Sequence, residues 1–227
     1  MTENIQTFIQ LLFIGVIALF PVVNPLGTAF IVMPYFANLS DAERRNAAKK
    51  VALYAFCIAT VTLFTGHWIL ELFGLTIPVI RTAGGIMICK TGWEFLSDKS
   101  DEQKAASDAA NASGPRGSIE DKLFYPITFP ITTGAGTISV LFTLSAHSTN
   151  KDVTHYFINS GAILLAVLFM CILIYFFYSN TKRIVRYLGS TGEQILNRIM
   201  AFLIFCVGLQ IAASGIKGLF EMGPSVP

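Results

Sequence analysis

A nine-residue motif occurs twice in this chain of 227 residues, at residues 20–28 and at residues 129–137. The two copies share Phe, Pro, Gly and Thr at matching positions. Both copies place Pro and Gly inside long apolar stretches, where these residues interrupt a helix. A backbone that is unwound at membrane depth is tolerated only when it is buried in protein or lines a cavity. Two such breaks, one in each half of the chain, therefore indicate a solute-binding site between two structural repeats.

The residues within the breaks predict how each break is built. Asn is a favoured N-cap and Pro is favoured at the first helical position, so Asn24 and Pro25 predict the start of a second half-helix. In the second copy, Thr133 can cap a half-helix that begins near Gly134, and Gly134 and Gly136 allow a ligand to approach the backbone closely. The free N–H groups and the positive dipole end at such helix starts favour an anionic group such as a carboxylate.

The breaks contain few polar side chains and no charged ones, which suits a small uncharged or zwitterionic solute. Pro and Gly are also common in membrane helices as kinks and as packing sites, and that is the alternative interpretation. The matched positions in both halves favour a binding site. The predicted substrate-binding residues are Asn24, Pro25, Gly27, Thr28, Thr132, Thr133, Gly134, Gly136 and Thr137.

The composition places the chain in a membrane. It is 53% hydrophobic and 13% charged, whereas an ordinary soluble domain carries about 25% charged residues. The net charge of +2 does not indicate nucleic-acid binding, because the basic residues are spread over several loops. The four cysteines lie in four different apolar segments without metal-ligand spacing, so we predict neither a metal nor a cofactor. Enzyme motifs of the hydrolase, zinc-protease and P-loop types are absent from the sequence, which predicts a protein that is not an enzyme.

Six segments are long and apolar enough to predict an all-α membrane protein with six transmembrane helices. They span residues 8–35, 51–73, 77–96, 123–146, 156–178 and 196–220. A tight turn at residues 74–78 joins the second and third segments. The polar stretch 97–122 is a predicted cytoplasmic linker, so the predicted organisation is a first three-helix repeat at 1–96, the linker, and a second three-helix repeat at 123–227.

The distribution of Lys and Arg predicts the orientation. Eleven of these residues lie in the loops after the first, third and fifth segments, and two lie in the loops on the opposite side. These three loops are therefore predicted to be cytoplasmic, with both termini periplasmic or external. Since each half contains three spans, the halves insert in opposite directions. The motif thus predicts two inverted repeats in which helices 1 and 4 are discontinuous.

Polar residues inside predicted membrane helices are candidates for coupling or gating. Arg81 opens the third segment, where it can either pair with Glu71 across the tight turn or act as a gate. Glu94 can pair with Lys90 on one helix face or take part in proton coupling. Gln210 lies deep in the sixth segment, where it can bond to another helix or contact substrate. Proton or sodium coupling is therefore part of the prediction.

Several segments resemble the MarC family, which includes the SnatA small neutral amino acid transporters. They are Asn-Pro-Leu at 24–26, Arg-Thr-Ala-Gly-Gly at 81–85, Gly-Ala-Gly-Thr-Ile at 134–138, Arg-Ile-Met-Ala at 198–201 and Gly-Ile-Lys-Gly at 215–218. The resemblance implies six spans in the bacterial inner membrane and transport of glycine, alanine and similar amino acids at the discontinuous first and fourth helices. The family usually has Gly-Pro-Gly where this chain has Gly-Ala-Gly at 134–136, which softens the second break.

The predicted function is a secondary transporter or exporter of small neutral amino acids that works by alternating access. One alternative is an inverted-repeat channel for small neutral solutes, similar to an aquaporin. The second copy of the motif lacks Asn-Pro, however, and both copies lie inside spans rather than in loops between them. The other alternative is a membrane stress protein that carries no flux.

Overall fold

The computed structural model describes residues 2–97, 119–148 and 153–221, and the regular structure within these ranges is helical throughout. Most of the predicted linker at 97–122 lies outside the described residues. The elements are listed here in chain order: α1 Thr2–Val23, α2 Pro25–Phe36, α3 Asp41–Leu72, α4 Ile77–Leu96, α5 Ile119–Lys122, the π-helical segment π1 Leu123–Thr132, α6 Ala135–Ser148, α7 Val153–Ser179 and α8 Thr181–Glu221.

Four stretches in the described part of the chain are long and apolar enough to cross a membrane: Ile5–Phe36, Asp41–Gly66, His155–Ser179 and Arg198–Glu221. The bent pair Ile119–Thr132 and Ala135–Ser145 adds a fifth if it forms one span. Helix α4 has the bounds predicted for the third span, but Arg81, Lys90 and Glu94 fall within every stretch of 18 residues in it. The all-α membrane class is therefore confirmed with four or five candidate spans, against the six predicted.

Two helices extend well beyond the predicted spans. Helix α3 begins ten residues earlier than predicted, at Asp41, because Ser40 and Glu43 form a capping box. The backbone N–H of Ser40 donates to Glu43 Oε2 at 2.9 Å, and the N–H of Glu43 donates to Ser40 Oγ at 3.3 Å. Helix α8 begins at Thr181, so the basic segment around Lys182, which was predicted to be a loop, is helical.

The tight turn between α3 and α4 is built as predicted. Gly74 has a φ of 62°, a left-handed conformation that glycine adopts without strain. The N–H of Leu75 donates to the carbonyl oxygen of Leu70 at 2.8 Å, and the N–H of Gly74 donates to that of Glu71 at 3.1 Å. This pair of bonds is a Schellman motif, which ends α3 and turns the chain directly into α4.

Helices α4 and α8 pack antiparallel with their backbones in close contact. A Cβ atom added at Gly85 would lie 2.3 Å from the backbone nitrogen of Ala212, and one added at Gly92 would lie 2.5 Å from that of Phe205. At the other end of the contact, a Cβ at Gly215 would lie 2.5 Å from the backbone nitrogen of Thr82. Small residues allow this approach, as is usual between membrane helices.

Helix α7 is the central element of the bundle and runs parallel to α1. A Cβ added at Gly15 would lie 2.9 Å from Ala166 Cβ, and one added at Gly161 would lie 4.0 Å from Phe8 Cε2. The buried core combines side chains of α7 with those of α2, α3 and α6, among them Val32, Leu63, Leu141, Ile163 and Ile174. Helix α7 therefore positions its side chains against residues from both halves of the chain.

A buried arginine holds α3 against the end of α7. The side chain of Arg44 is 8% exposed. Its Nε donates to the carbonyl oxygen of Ser179 at 3.0 Å, and its Nη2 donates to Asp41 Oδ1 at 2.6 Å. Ser179 ends α7, so the guanidinium also neutralises the negative dipole end of that helix.

Replacing this arginine is expected to destabilise the bundle. Arg44→Ala leaves a buried carbonyl oxygen without its donor, which lowers the free energy of unfolding by about 1–3 kcal/mol. The measurement is the Tm of the purified protein in detergent. Arg45→Ala is the matched control because the neighbouring Arg45 is exposed. Equal Tm values for the two variants would contradict the role given to Arg44.

Candidate functional site

The first break is a single residue between α1 and α2. Asn24 has φ 43° and ψ 60°, a left-handed conformation that Asn tolerates better than most residues. Its Oδ1 accepts from the N–H of Gly27 at 3.1 Å, and its carbonyl oxygen accepts from Thr28 Oγ1 at 2.9 Å. The predicted cap at Asn24 and the predicted helix start at Pro25 are both confirmed.

This capping reduces the number of backbone N–H groups that the start of α2 can donate to a ligand. Of the first three residues of α2, Pro25 has no N–H group and the N–H of Gly27 is bonded to Asn24. The N–H of Leu26 remains. A carboxylate at this end of α2 would therefore have the Leu26 N–H as its backbone donor in the first three residues.

The second break is longer than the motif predicted, because it includes most of π1. Tyr125 and Phe129 have extended backbones inside this segment. Each precedes a proline, Pro126 and Pro130, and a proline disfavours helical geometry at the residue before it. Both of these prolines follow cis peptide bonds. Pro126 lies outside the repeated motif, and its presence in the sequence was the available sign that the break begins earlier.

Two threonine hydroxyls compensate for the irregular backbone of π1. Thr128 Oγ1 donates to the carbonyl oxygen of Leu123 at 2.6 Å, and Thr132 Oγ1 donates to that of Ile127 at 2.7 Å. The N–H of Thr133 donates to the carbonyl oxygen of Thr128 at 2.8 Å. The Thr128 and Thr132 hydroxyls therefore satisfy backbone carbonyls that a regular helix would have bonded to N–H groups.

Helix α6 begins at Ala135, one residue later than a cap at Thr133 would place its start. The carbonyl oxygen of Gly134 accepts from the N–H of Ile138 at 3.1 Å, which makes Gly134 the N-cap. The prediction that Thr133 caps this half-helix is thus wrong by one residue, because the helix begins at Ala135 and its first hydrogen bond is accepted by Gly134. The segment before the break and the helix after it are bent by 65°.

The structure brings the two breaks together. A Cβ added at Gly136 would lie 2.9 Å from Cγ1 of Val22, two residues before the first break. Tyr178, near the end of α7, has its hydroxyl 2.8 Å from Thr132 Oγ1, and its ring contacts Phe36 of α2 edge-to-face. One side chain thereby contacts both α2, which follows the first break, and Thr132 of the second motif.

The polar groups at the breaks are buried. The buried members of the predicted set are Asn24, Pro25, Gly27, Thr28, Thr132, Thr133 and Thr137, while Gly134 and Gly136 are half-buried. Thr137 Oγ1 has no hydrogen-bond partner among the described residues. Two surface clefts of about 560 and 380 Å³ lie along α1, and their lining includes no residue of either break. The polar side chains of the breaks are therefore buried in this conformation.

Sequence reasoning missed Tyr178. It is fully buried and makes an edge-to-face contact with Phe36, with ring centroids 6.3 Å apart. Tyr175, three residues earlier on the same helix, is 40% exposed. Nothing in the local sequence distinguishes the two tyrosines.

The residues predicted for coupling or gating lie apart from these contacts. Lys90 Nζ is 3.3 Å from Glu94 Oε1, which confirms the predicted pair on one face of α4. Gln210 is exposed on α8, and Arg81 is half-buried in the early part of α4. None of the three belongs to the contacts that join the two breaks, and their roles in coupling or gating stay predictions.

The site can recognise a solute by hydrogen bonding from hydroxyl, amide and backbone groups. Among the described residues, no group of three or more His, Cys, Asp or Glu side chains is placed to hold a metal ion. The two helix starts add positive dipole ends. This chemistry matches a small polar molecule with both donors and acceptors.

Comparisons with known proteins agree with these observations. The family model described as MarC family integral membrane protein matches residues 9–220. The UPF0056 inner membrane protein MarC of Escherichia coli strain UTI89 is 27% identical over 213 residues, which are 92% of this chain and 95% of that protein. The protein of the same name from Escherichia coli strain K12 is 26% identical over the same extent. No solved structure matches the chain significantly. The family match includes both copies of the motif.

Proposed function

Because the chain belongs to the MarC family of integral membrane proteins, we propose that it is a secondary transporter or exporter of small neutral amino acids of the glycine and alanine class. One observation carries the proposal: two interrupted helices meet at buried polar groups in a membrane-embedded protein. Broken helices at a repeat interface are the usual construction of a transporter binding site.

The proposed architecture is six spans arranged as two inverted three-helix repeats, with α4 as the third span. The antiparallel packing of α4 on α8 and the parallel packing of α1 on α7 support it. In an inverted repeat of this kind, the third and sixth spans run in opposite directions, and the first and fifth run in the same direction. Both termini are then external, and the basic ends of the helices are cytoplasmic.

Substrate recognition would use both helix starts. The carboxylate binds the Leu26 N–H at the start of α2 and the N–H groups of Gly136 and Thr137 in the first turn of α6. The ammonium group binds threonine hydroxyls and backbone carbonyls at the breaks. The polar groups at both breaks are buried among packed side chains, and we propose that the site accepts only substrates with very small side chains.

Transport would proceed by alternating access, with one repeat rocking against the other around the two breaks. The coupling ion is a proton or sodium, and Glu94, Arg81 and Gln210 are the residues proposed for coupling or gating. The protein acts within the lipid bilayer of the bacterial inner membrane, without a cofactor.

The test is counterflow in liposomes with the purified protein. Glycine and alanine are expected to show saturable counterflow, whereas leucine is expected to be transported at least about tenfold more slowly because one or more methylenes would have to displace packed atoms. An uncharged osmolyte serves as the control solute. Fast, non-saturable osmolyte flux without amino acid flux would instead identify a channel. The absence of flux for every solute would contradict the transport proposal and favour a stress protein without flux.

A further inference from the structure

Gln210 lies at the centre of a membrane-spanning helix, and its side chain is exposed. It is in the middle of the candidate span Arg198–Glu221 of α8. The packing of α8 on α4 gives the same depth, because a Cβ added at Gly208 would lie 2.5 Å from the backbone nitrogen of Cys89, near the middle of α4. The Gln210 carboxamide therefore faces the hydrocarbon core of the bilayer.

The register of α8 explains why Gln210 is exposed. The residues of α8 that pack on α4 recur every three or four positions along one face, and they are Phe205, Gly208, Ala212 and Gly215. Gln210 is two residues from Gly208 and two from Ala212. Since successive residues of a helix are rotated by about 100°, Gln210 lies on the face of α8 that points away from α4.

The Gln210 carboxamide has hydrogen-bonding groups that its own chain leaves unused. It can donate two hydrogen bonds and accept two, and no residue in the described ranges bonds to it. Thr91, an exposed polar residue of α4, differs because its Oγ1 donates to the carbonyl oxygen of Met87 at 3.1 Å. Glutamines in membrane helices commonly bond to another helix, because a polar group without a partner in hydrocarbon is costly. The helix that Gln210 requires is therefore not found in the described part of this chain.

The residues around Gln210 on this face are small. Cys206, Ala213 and Ser214 are exposed and lie within about one helical turn of Gln210, on the same side of α8. Small residues let the backbones of two membrane helices come close enough for side chains to hydrogen-bond across the contact. We call the surface defined by Cys206, Gln210, Ala213 and Ser214 the outer face of α8.

The chemistry at this depth identifies the partner. Lipid tails have no hydrogen-bonding groups, and the headgroups and water lie outside the hydrocarbon core. A carboxamide is complementary to another carboxamide, because each can donate an N–H to the oxygen of the other. Copies of one chain insert in the same orientation, so a two-fold axis along the membrane normal brings the same residue of both copies together. A second copy of this chain therefore supplies what Gln210 lacks.

We infer that two copies of this protein associate in the membrane through the outer face of α8, with their Gln210 side chains hydrogen-bonded to each other. Association goes beyond the proposed transport function and does not require it, since the outer face points away from α4 and each copy keeps both of its own breaks. It gives Gln210 an alternative to the proposed coupling role. A polar side chain at the centre of such a contact fixes its register and the number of copies.

Disulfide cross-linking tests the contact, because Cys206 is exposed one helical turn from Gln210. The full-length protein keeps Cys206, with alanine at the other three cysteines, and is reconstituted in liposomes at a large excess of lipid. Air oxidation with copper phenanthroline is expected to give a dimer on a non-reducing gel. A matched chain that keeps only Cys57, which is exposed on α3, measures cross-linking by random collision. Equal yields through the two cysteines would overturn the inference.

The contribution of Gln210 is measured as a dimerisation constant. Energy transfer between copies labelled at the C-terminus is followed as the lipid-to-protein ratio is varied. Gln210→Leu is expected to weaken dimerisation roughly three- to twentyfold, the change that one interhelical polar contact gives in membranes. Thr91→Leu is the control, because the Thr91 hydroxyl is already bonded within its own helix, and it is expected to change nothing. The same constant in Gln210→Leu as in the wild-type protein would refute the contact.

Two further variants keep the test valid if Gln210→Leu is poorly inserted. Gln210→Asn retains a carboxamide and is expected to keep more of the association than Gln210→Leu. Ala213→Phe adds bulk to the outer face with Gln210 intact and is expected to weaken dimerisation. Cross-linking of Cys206 only to a protein of another mass in native membranes would assign the outer face to a different partner and overturn the inference. Wild-type protein that moves no amino acid would refute the transport proposal and leave these measurements unaffected.

Discussion

In the variant Gly27→Leu, the counterflow rates of the substrates glycine and alanine are expected to fall roughly ten- to hundredfold. In the variant Gly27→Ala, the same rates are also expected to fall substantially. A Cβ at Gly27 would lie 2.2 Å from Asn24 Nδ2 and 2.9 Å from Asn24 Oδ1. Any side chain at this position must therefore displace the Asn24 carboxamide, which caps α2 and forms the first break. The measurement is the initial rate of counterflow in liposomes, normalised to the amount of inserted protein.

Two glycines give matched comparisons for this result. At Gly136 a Cβ would meet side-chain atoms of Val22 and Ile88 at 2.9 and 3.0 Å, which can shift, so Gly136→Ala is expected to lose less activity than Gly27→Ala. At Gly161 a Cβ would meet only Phe8, at 4.0 Å, so Gly161→Ala is expected to transport normally. Wild-type flux in both Gly27→Leu and Gly136→Leu would refute the assignment of the site.

The largest effect on stability is expected at the contact between α4 and α8. A Cβ at Gly85 would lie 2.3 Å from the backbone nitrogen of Ala212 and 2.7 Å from the carbonyl oxygen of Gly208. Backbone atoms of a helix cannot move individually, so Gly85→Val forces the two helices apart. The expected cost is about 3 kcal/mol or more, at the upper end of the range for overpacking. The measurement is the Tm in detergent and the yield of monodisperse protein.

The control for this variant lies on the same helix. Ala83 is exposed on α4, and Ala83→Val adds a similar volume on the opposite side of the contact. Its Tm is expected to stay close to that of the wild-type protein. If the Tm of Gly85→Val equals that of Ala83→Val within experimental error, then α4 and α8 do not pack through their backbones.

The first break is the part of the site that the sequence predicted best. Asn24, Pro25 and Gly27 form their contacts within four residues of one another, and such short-range capping has a recognisable pattern. The same holds for the turn at Gly74, whose hydrogen bonds span five residues or fewer. The ion pair of Lys90 with Glu94 likewise joins residues that are one helical turn apart in the sequence.

The second break was predicted only in part. The prolines of π1 interrupt the helix as expected, but the irregular segment begins at Leu123 and the N-cap is Gly134 rather than Thr133. Both Thr and Gly are common N-caps, so the local sequence left the choice of cap open. Similarly, composition alone placed the starts of α3 and α8 too late, because charged residues outside the apolar core continue both helices.

The sequence by itself determined the membrane class, the presence of both breaks and the cap that begins α2. Each of these depends on composition or on contacts a few residues apart. Only the tertiary structure decided which side chain connects the breaks and which glycines carry helix packing. Tyr178 is 46 residues from Thr132, and Gly85 meets Ala212 from the other half of the chain. Such contacts depend on how whole helices pack, and packing is a property of three-dimensional surfaces that no local pattern specifies.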